Sequence, residues 1–164
     1  MELAADTGLA YLRYAFGRML AVATTLGEPL IDERPTASGT NPVGALVLHC
    51  CTVCEFWLGH VALGRPTTTR DREAEFSRRT TLAECRDAVD VALQQAEQDV
   101  RRLARGEGVP HDARRRLRGG VGDDDAVVLH LLEEVFQHLG QMEVTKDVLL
   151  QAEAQVAVPA SPTG

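Results

Sequence analysis

His130-Leu-Leu-Glu-Glu-Val-Phe-Gln-His-Leu-Gly-Gln-Met142 is the stretch whose periodicity decides the fold. At about 100° per residue, Val127, Leu131, Val135, Leu139, Met142 and Leu149 fall on one face of a helix. His138 lies inside that arc and Glu134 on its border. Side chains four apart on a helix project side by side, so this carboxylate and imidazole can grip one small object, such as a metal ion. Turned toward a hydrophobic core, both groups are costly unless something satisfies them. That cost is the argument for a site.

Working outward, residues 7–26 carry Leu9, Leu12, Tyr14, Phe16, Met19, Leu20, Ala23 and Leu26 at three- and four-residue steps, a second amphipathic helix closed by Gly27 and Pro29. The proline- and glycine-bearing segment from Glu28 to Pro42 reads as a loop. Thr40 or Asn41 then caps a helix running from about Pro42 to Leu63, with Pro42 at its first position. On its wheel His49 stands among Leu46, Val53, Phe56 and Trp57. Residues 67–80 form a second long polar loop, whose Phe76 is expected to pack on the body. Thr80 or Thr81 caps the next helix, with Glu84 in the capping-box position if Thr81 is the cap, and that helix ends near Gly106. Asp123, Asp124 and Asp125 complement the dipole at the start of the last helix, which runs to about Gln155.

Four long helices and no strand-like alternation make the expected fold all-α, a four-helix bundle with long inter-helix loops. One domain over 1–155 and a flexible tail over 156–164 are expected. A formal charge of −7 argues against nucleic acid and anionic membranes as partners. No apolar run reaches the ~20 residues needed to span a bilayer, and the N-terminus lacks a signal-peptide pattern. A cytoplasmic protein follows. Cys50, Cys51, Cys54 and Cys85 are not expected to form a disulfide framework in a cytosolic chain of this size, and Cys51-x-x-Cys54 lacks a second pair and the strand-then-helix context of a redox motif. They read as small packing residues.

Three polar groups thus point into the expected core: His49, Glu134 and His138. Bundles build metal sites from such inward-facing side chains. Two imidazoles and a carboxylate suit Zn2+, Ni2+ or Fe2+ and leave a coordination position open, as catalytic sites do. The alternative is that both histidines are satisfied by hydrogen bonds in the core while Glu134 is solvated.

The stretch Asn41-Pro-Val-Gly-Ala-Leu-Val-Leu-His49, followed by Phe56-Trp-Leu-Gly-His-Val-Ala-Leu-Gly64, resembles the DinB-like bundle proteins. So does His130-x3-Glu134-x3-His138-x-Gly140-Gln141. More narrowly the chain is similar to the actinobacterial branch related to mycothiol-dependent maleylpyruvate isomerase. The resemblance implies a divalent metal, zinc first with nickel or iron as alternatives, held by His49, Glu134 and His138. Many relatives carry histidine at the Glu134 position; glutamate matches the mycothiol-isomerase-like members. Characterised relatives use the metal to bind a low-molecular-weight thiol and deliver its sulfur to an electrophile, which implies a thiol transferase or thiol-dependent isomerase with mycothiol as co-substrate. A metal-bound thiol loses its proton and becomes the nucleophile. Arginines among the seven between Arg101 and Arg118 would meet the polar sugars of mycothiol.

Around the three ligands, Trp57 and Val53 are expected to line the pocket, Gln141 to orient His138 one turn away, and His130 to support Glu134. His130 is about 12 Å along the axis from His138, too far to share its ion. His60 lies three turns from His49 and packs near the helix end; His111 is expected at the surface. No catalytic residue can be chosen beyond the ligands. The second functional reading is a non-catalytic bundle that binds metal or a partner, with homodimerisation through an apolar helix face.

Overall fold

The computed structural model describes residues 4–28, 30–35, 40–66, 72–110 and 123–156. Its elements are α1 (Ala5–Leu26), a 3-10 turn (Leu30–Asp32), α2 (Val43–Cys54) running directly into a π-helical segment (Glu55–Ala62), α3 (Arg72–Ser77), α4 (Leu82–Ala104) and α5 (Asp124–Val156). No strand occurs among the described residues.

Periodicity translates into burial. All six apolar residues on the expected face of α5 are buried, Val127 through Leu149, and so are Leu9, Leu12, Phe16, Met19, Ala23 and Leu26 of α1. A fully buried side chain of this kind contributes roughly 1.5–3 kcal/mol, against about 1 kcal/mol for one capping bond. The apolar faces therefore hold the bundle, and caps trim its ends.

The long helices are α1, α2 with its π-helical continuation, α4 and α5. Both α1 and α2 pack on α4 and on α5, so consecutive helices α1 and α2 sit across the bundle from each other. A diagonal step needs a connection that crosses the end of the bundle. That explains the length of the segment between Leu26 and Val43, which a step to a neighbouring helix would not require.

Several expectations need correcting. The second helix is not α-helical throughout: its last eight residues widen into a π-helix. Its N-cap is Pro42 with no capping side chain, and the first helical residue is Val43; the Thr40 hydroxyl instead donates to the Pro35 carbonyl at 3.1 Å. The polar 67–80 segment contains the short α3. The continuous run Val43–Ala62 does have the length and composition to cross a membrane, with a mean hydropathy of 1.4, and 56% of that window is buried inside the protein. It is apolar because the bundle surrounds it. The capping box is present in full, with the Thr81 hydroxyl accepting from the Glu84 amide and the Glu84 carboxylate accepting from the Thr81 amide. His111, Arg114, Arg115, Arg116 and Arg118, and the tail beyond Val156, lie outside the described residues.

The π-helical end is pinned by charge. Asp99 of α4 is only 1% exposed and is bridged by both terminal nitrogens of Arg65 at 2.5 Å. Gln95 adds a bond at 3.0 Å. Arg65 also grips Glu55, at 2.9 and 2.7 Å. Those hydrogen bonds, Asp99 first, raise the already high pKa of the guanidinium. A β-carbon on Gly59 would collide with Arg65 and Glu55, so glycine is what lets the guanidinium lie across the helix.

Candidate metal and thiol site

His49 projects from the middle of α2 and is 4% exposed. From α5, His138 meets it edge-on, with ring centroids 4.9 Å apart and planes at 88°. Glu134, one turn before His138, reaches its Nε2 at 4.0 Å. The two helices thus set His49 against His138, with Glu134 one turn before it, although 89 residues separate the two histidines in the chain (138 − 49).

Each histidine has an acceptor on Nδ1. For His138 it is the Gln141 side-chain oxygen at 3.3 Å. For His49 it is the Glu75 carboxylate at 3.4 Å. An acceptor on Nδ1 places the proton there and the lone pair on Nε2, the arrangement that metal-ligating imidazoles take.

His130 does not join the pair. Its Nε2 lies 3.7 Å from Glu134 and its Nδ1 3.2 Å from Glu133. The Trp57 ring stands edge-on to it with centroids 4.5 Å apart. His130 therefore braces Glu134 from the side away from His138, and Trp57 braces His130. Val53 is buried in the core, 4% exposed. His60 Nδ1 donates to the Arg65 carbonyl at 2.8 Å and packs on Phe56, closing its own helix end.

Sequence reasoning missed Glu75. It arrives from α3 next to Phe76, whose ring packs on His49 with centroids 5.1 Å apart. The only signal for this was Phe76, an aromatic residue in an otherwise polar segment.

Cys50 is fully buried beside His49. Burial, then the neighbouring Cys51 and the Glu134 carboxylate, push its thiol far up. Burial also pushes Cys51 up to about 12 and raises Cys54 well above its ordinary value. All four cysteines are free thiols, and Cys51-x-x-Cys54 has none of the acidity that redox motifs need.

The donor set fits a borderline divalent ion. Zinc–nitrogen bonds of about 2.0–2.1 Å at a roughly tetrahedral angle would set two imidazole centroids about 5 Å apart, close to the 4.9 Å between His49 and His138. Glu134 stands wider, shared between His130 and His138 and with 35% of its side chain exposed. Among the described residues no three His, Cys, Asp or Glu side chains are drawn together tightly enough to hold an ion as they stand.

A family model described as mycothiol-S-transferase matches residues 8–149. The chain belongs to the mycothiol-S-transferase family. The match spans all four long helices and includes His49, Glu75, Glu134 and His138. No curated protein and no solved structure gives a match. As a member of this family and an all-α bundle, the chain agrees with the DinB-like resemblance carried by its helix-two and helix-four motifs.

Proposed function

We propose that this mycothiol-S-transferase family member is a divalent-metal-dependent enzyme that transfers the sulfur of a low-molecular-weight thiol, mycothiol or a close equivalent, to an electrophile. His49, Glu134 and His138 would hold the ion, with zinc the first expectation and nickel or iron the alternatives. The observation that carries this reading is the edge-on approach of His49 and His138 beside Glu134, in a chain matching the family over residues 8–149.

A divalent ion held there supplies the acidity that makes a bound thiol nucleophilic at neutral pH. The chain's own side chains do the rest. Gln141 keeps the His138 imidazole in the Nδ1–H form. His130 and Trp57 limit how far Glu134 can swing. Phe76 and the buried wall around His49 exclude water and strengthen electrostatics at the donors. Four free cysteines suit a reducing compartment, and we place the protein in the cytoplasm.

The test is elemental analysis of protein purified without an affinity tag. It is followed by measurement of free-thiol loss with mycothiol, an activated aryl halide and Zn2+. Bound metal with protein-dependent thiol loss supports the enzyme. Bound metal without thiol loss points to the non-catalytic bundle, and no metal affinity at all removes the ligand set.

A further inference from the structure

We propose that Glu75 is a positioning residue for His49, so that the site is completed by α3, a strap laid across α2, and not by the two long helices alone. For its meaning in catalysis this rests on His49 being a metal ligand; its geometry stands independently.

The strap is fastened at its C-terminal end. Arg34 donates to the Phe76 carbonyl at 2.6 Å, and just beyond it the Thr80 amide donates to the Asp32 carboxylate at 3.0 Å. Both anchors come from the segment after α1, so α3 is tied to the connection that crosses the bundle end. Thus fastened, α3 sets two side chains on His49. The Phe76 ring packs on the imidazole at 5.1 Å, tilted by 41°. The Glu75 carboxylate, 22% exposed, faces Nδ1 at 3.4 Å.

The chemistry follows from what a carboxylate can do. Ionised, it only accepts, so the facing nitrogen must carry the hydrogen. An imidazole that is 4% exposed has little water to compete for that position. Glu75 therefore selects the Nδ1–H tautomer of His49, keeps the lone pair on Nε2 and raises the basicity of that nitrogen. Gln141 does the same for His138 with a neutral acceptor from within α5. The two donors of the site are thus set by partners of different origin: one built into the helix itself, the other delivered by a strap. Losing such a partner commonly weakens metal binding 10–100-fold.

The full-length protein, stripped of metal and 15N-labelled at histidine, tests this above pH 8 by two-bond proton–nitrogen correlation, which reads each imidazole tautomer. In the unsubstituted protein His49 is expected as Nδ1–H. Glu75→Gln, whose amide oxygen still accepts, keeps that form. Glu75→Leu, of similar size but without an acceptor, shifts His49 toward Nε2–H while His138 stays Nδ1–H and reports an intact bundle. Should Glu75→Leu fail to fold, Glu75→Ala takes its place. Zn2+ competition against a chromophoric chelator should show a 10–100-fold loss for the Leu variant and a smaller loss for Gln. An unchanged His49 tautomer in the variant lacking an acceptor overturns the proposal, as does equal abolition of Zn2+ binding by Gln and Leu, which would make Glu75 itself a ligand. If the unsubstituted protein binds no Zn2+, the ligand assignment fails, while the tautomer comparison still decides the role of Glu75.

Discussion

At the scale of single residues, the site rests on two imidazoles meeting edge-on between α2 and α5. Removing either leaves too few donors for a divalent ion. His49→Ala and His138→Ala should each lower bound metal by about tenfold or more, following the sensitivity of such sites to their donor shell, with helix content by circular dichroism preserved. Undiminished metal in both variants would discard these residues as ligands. Both positions were legible in the sequence because a 3.6-residue repeat states which way a helical side chain faces. Glu75 was not legible, because α3 is six residues long and so short a helix declares no face. Its partner on α2 lies 26 residues away.

At the scale of elements, α4 begins where Thr81 and Glu84 form the expected capping box. Thr81→Ala should cost about 1 kcal/mol, seen as a lower urea midpoint with an unchanged slope. The π-helical continuation of α2 is a different case. Nothing in its apolar pattern distinguishes a π from an α repeat over eight residues. Its end is clamped by Arg65 on Asp99 and Glu55, across the glycine at position 59. Arg65→Ala would leave the buried Asp99 carboxylate without its counter-charge and with Gln95 as its remaining donor, a loss of about 3–5 kcal/mol. Trp57 is the sole tryptophan and lies in this segment, so its emission should shift as the segment loosens. A variant with unaltered stability and emission would show that the clamp does not hold the helix end. Gly59→Ala should damage the same region, because the added methyl group meets Arg65 and Glu55 directly.

At the scale of the whole molecule, buried thiols tie stability to pH. Burial lifts Cys51 from an ordinary 9.0 to about 12 and Cys85 from 9.0 to about 11. Between those limits the unfolded chain has lost protons that the folded chain retains, so unfolding is favoured as pH rises. The contribution of these thiols is intact below pH 9 and is lost progressively from there to about 11 for Cys85 and 12 for Cys51. Urea midpoints should accordingly fall between pH 8.5 and pH 10.5, and Cys51→Ala should flatten that slope. A slope unaffected by the substitution would exclude Cys51 as its source.

The sequence by itself determined the all-α class and the faces of the long helices, with His49 and His138 turned inward, because helical periodicity is a local property that each segment carries alone. It also carried the family motifs, since these lie within single helices. Only the tertiary structure decided that α1 and α2 stand across the bundle from each other, that the second helix ends as a π-helix, and that a six-residue strap sets Glu75 and Phe76 on His49. Those features depend on contacts between residues far apart in the chain. Their energies arise when charges and rings from different elements share a buried volume, and no repeat within one segment encodes that meeting.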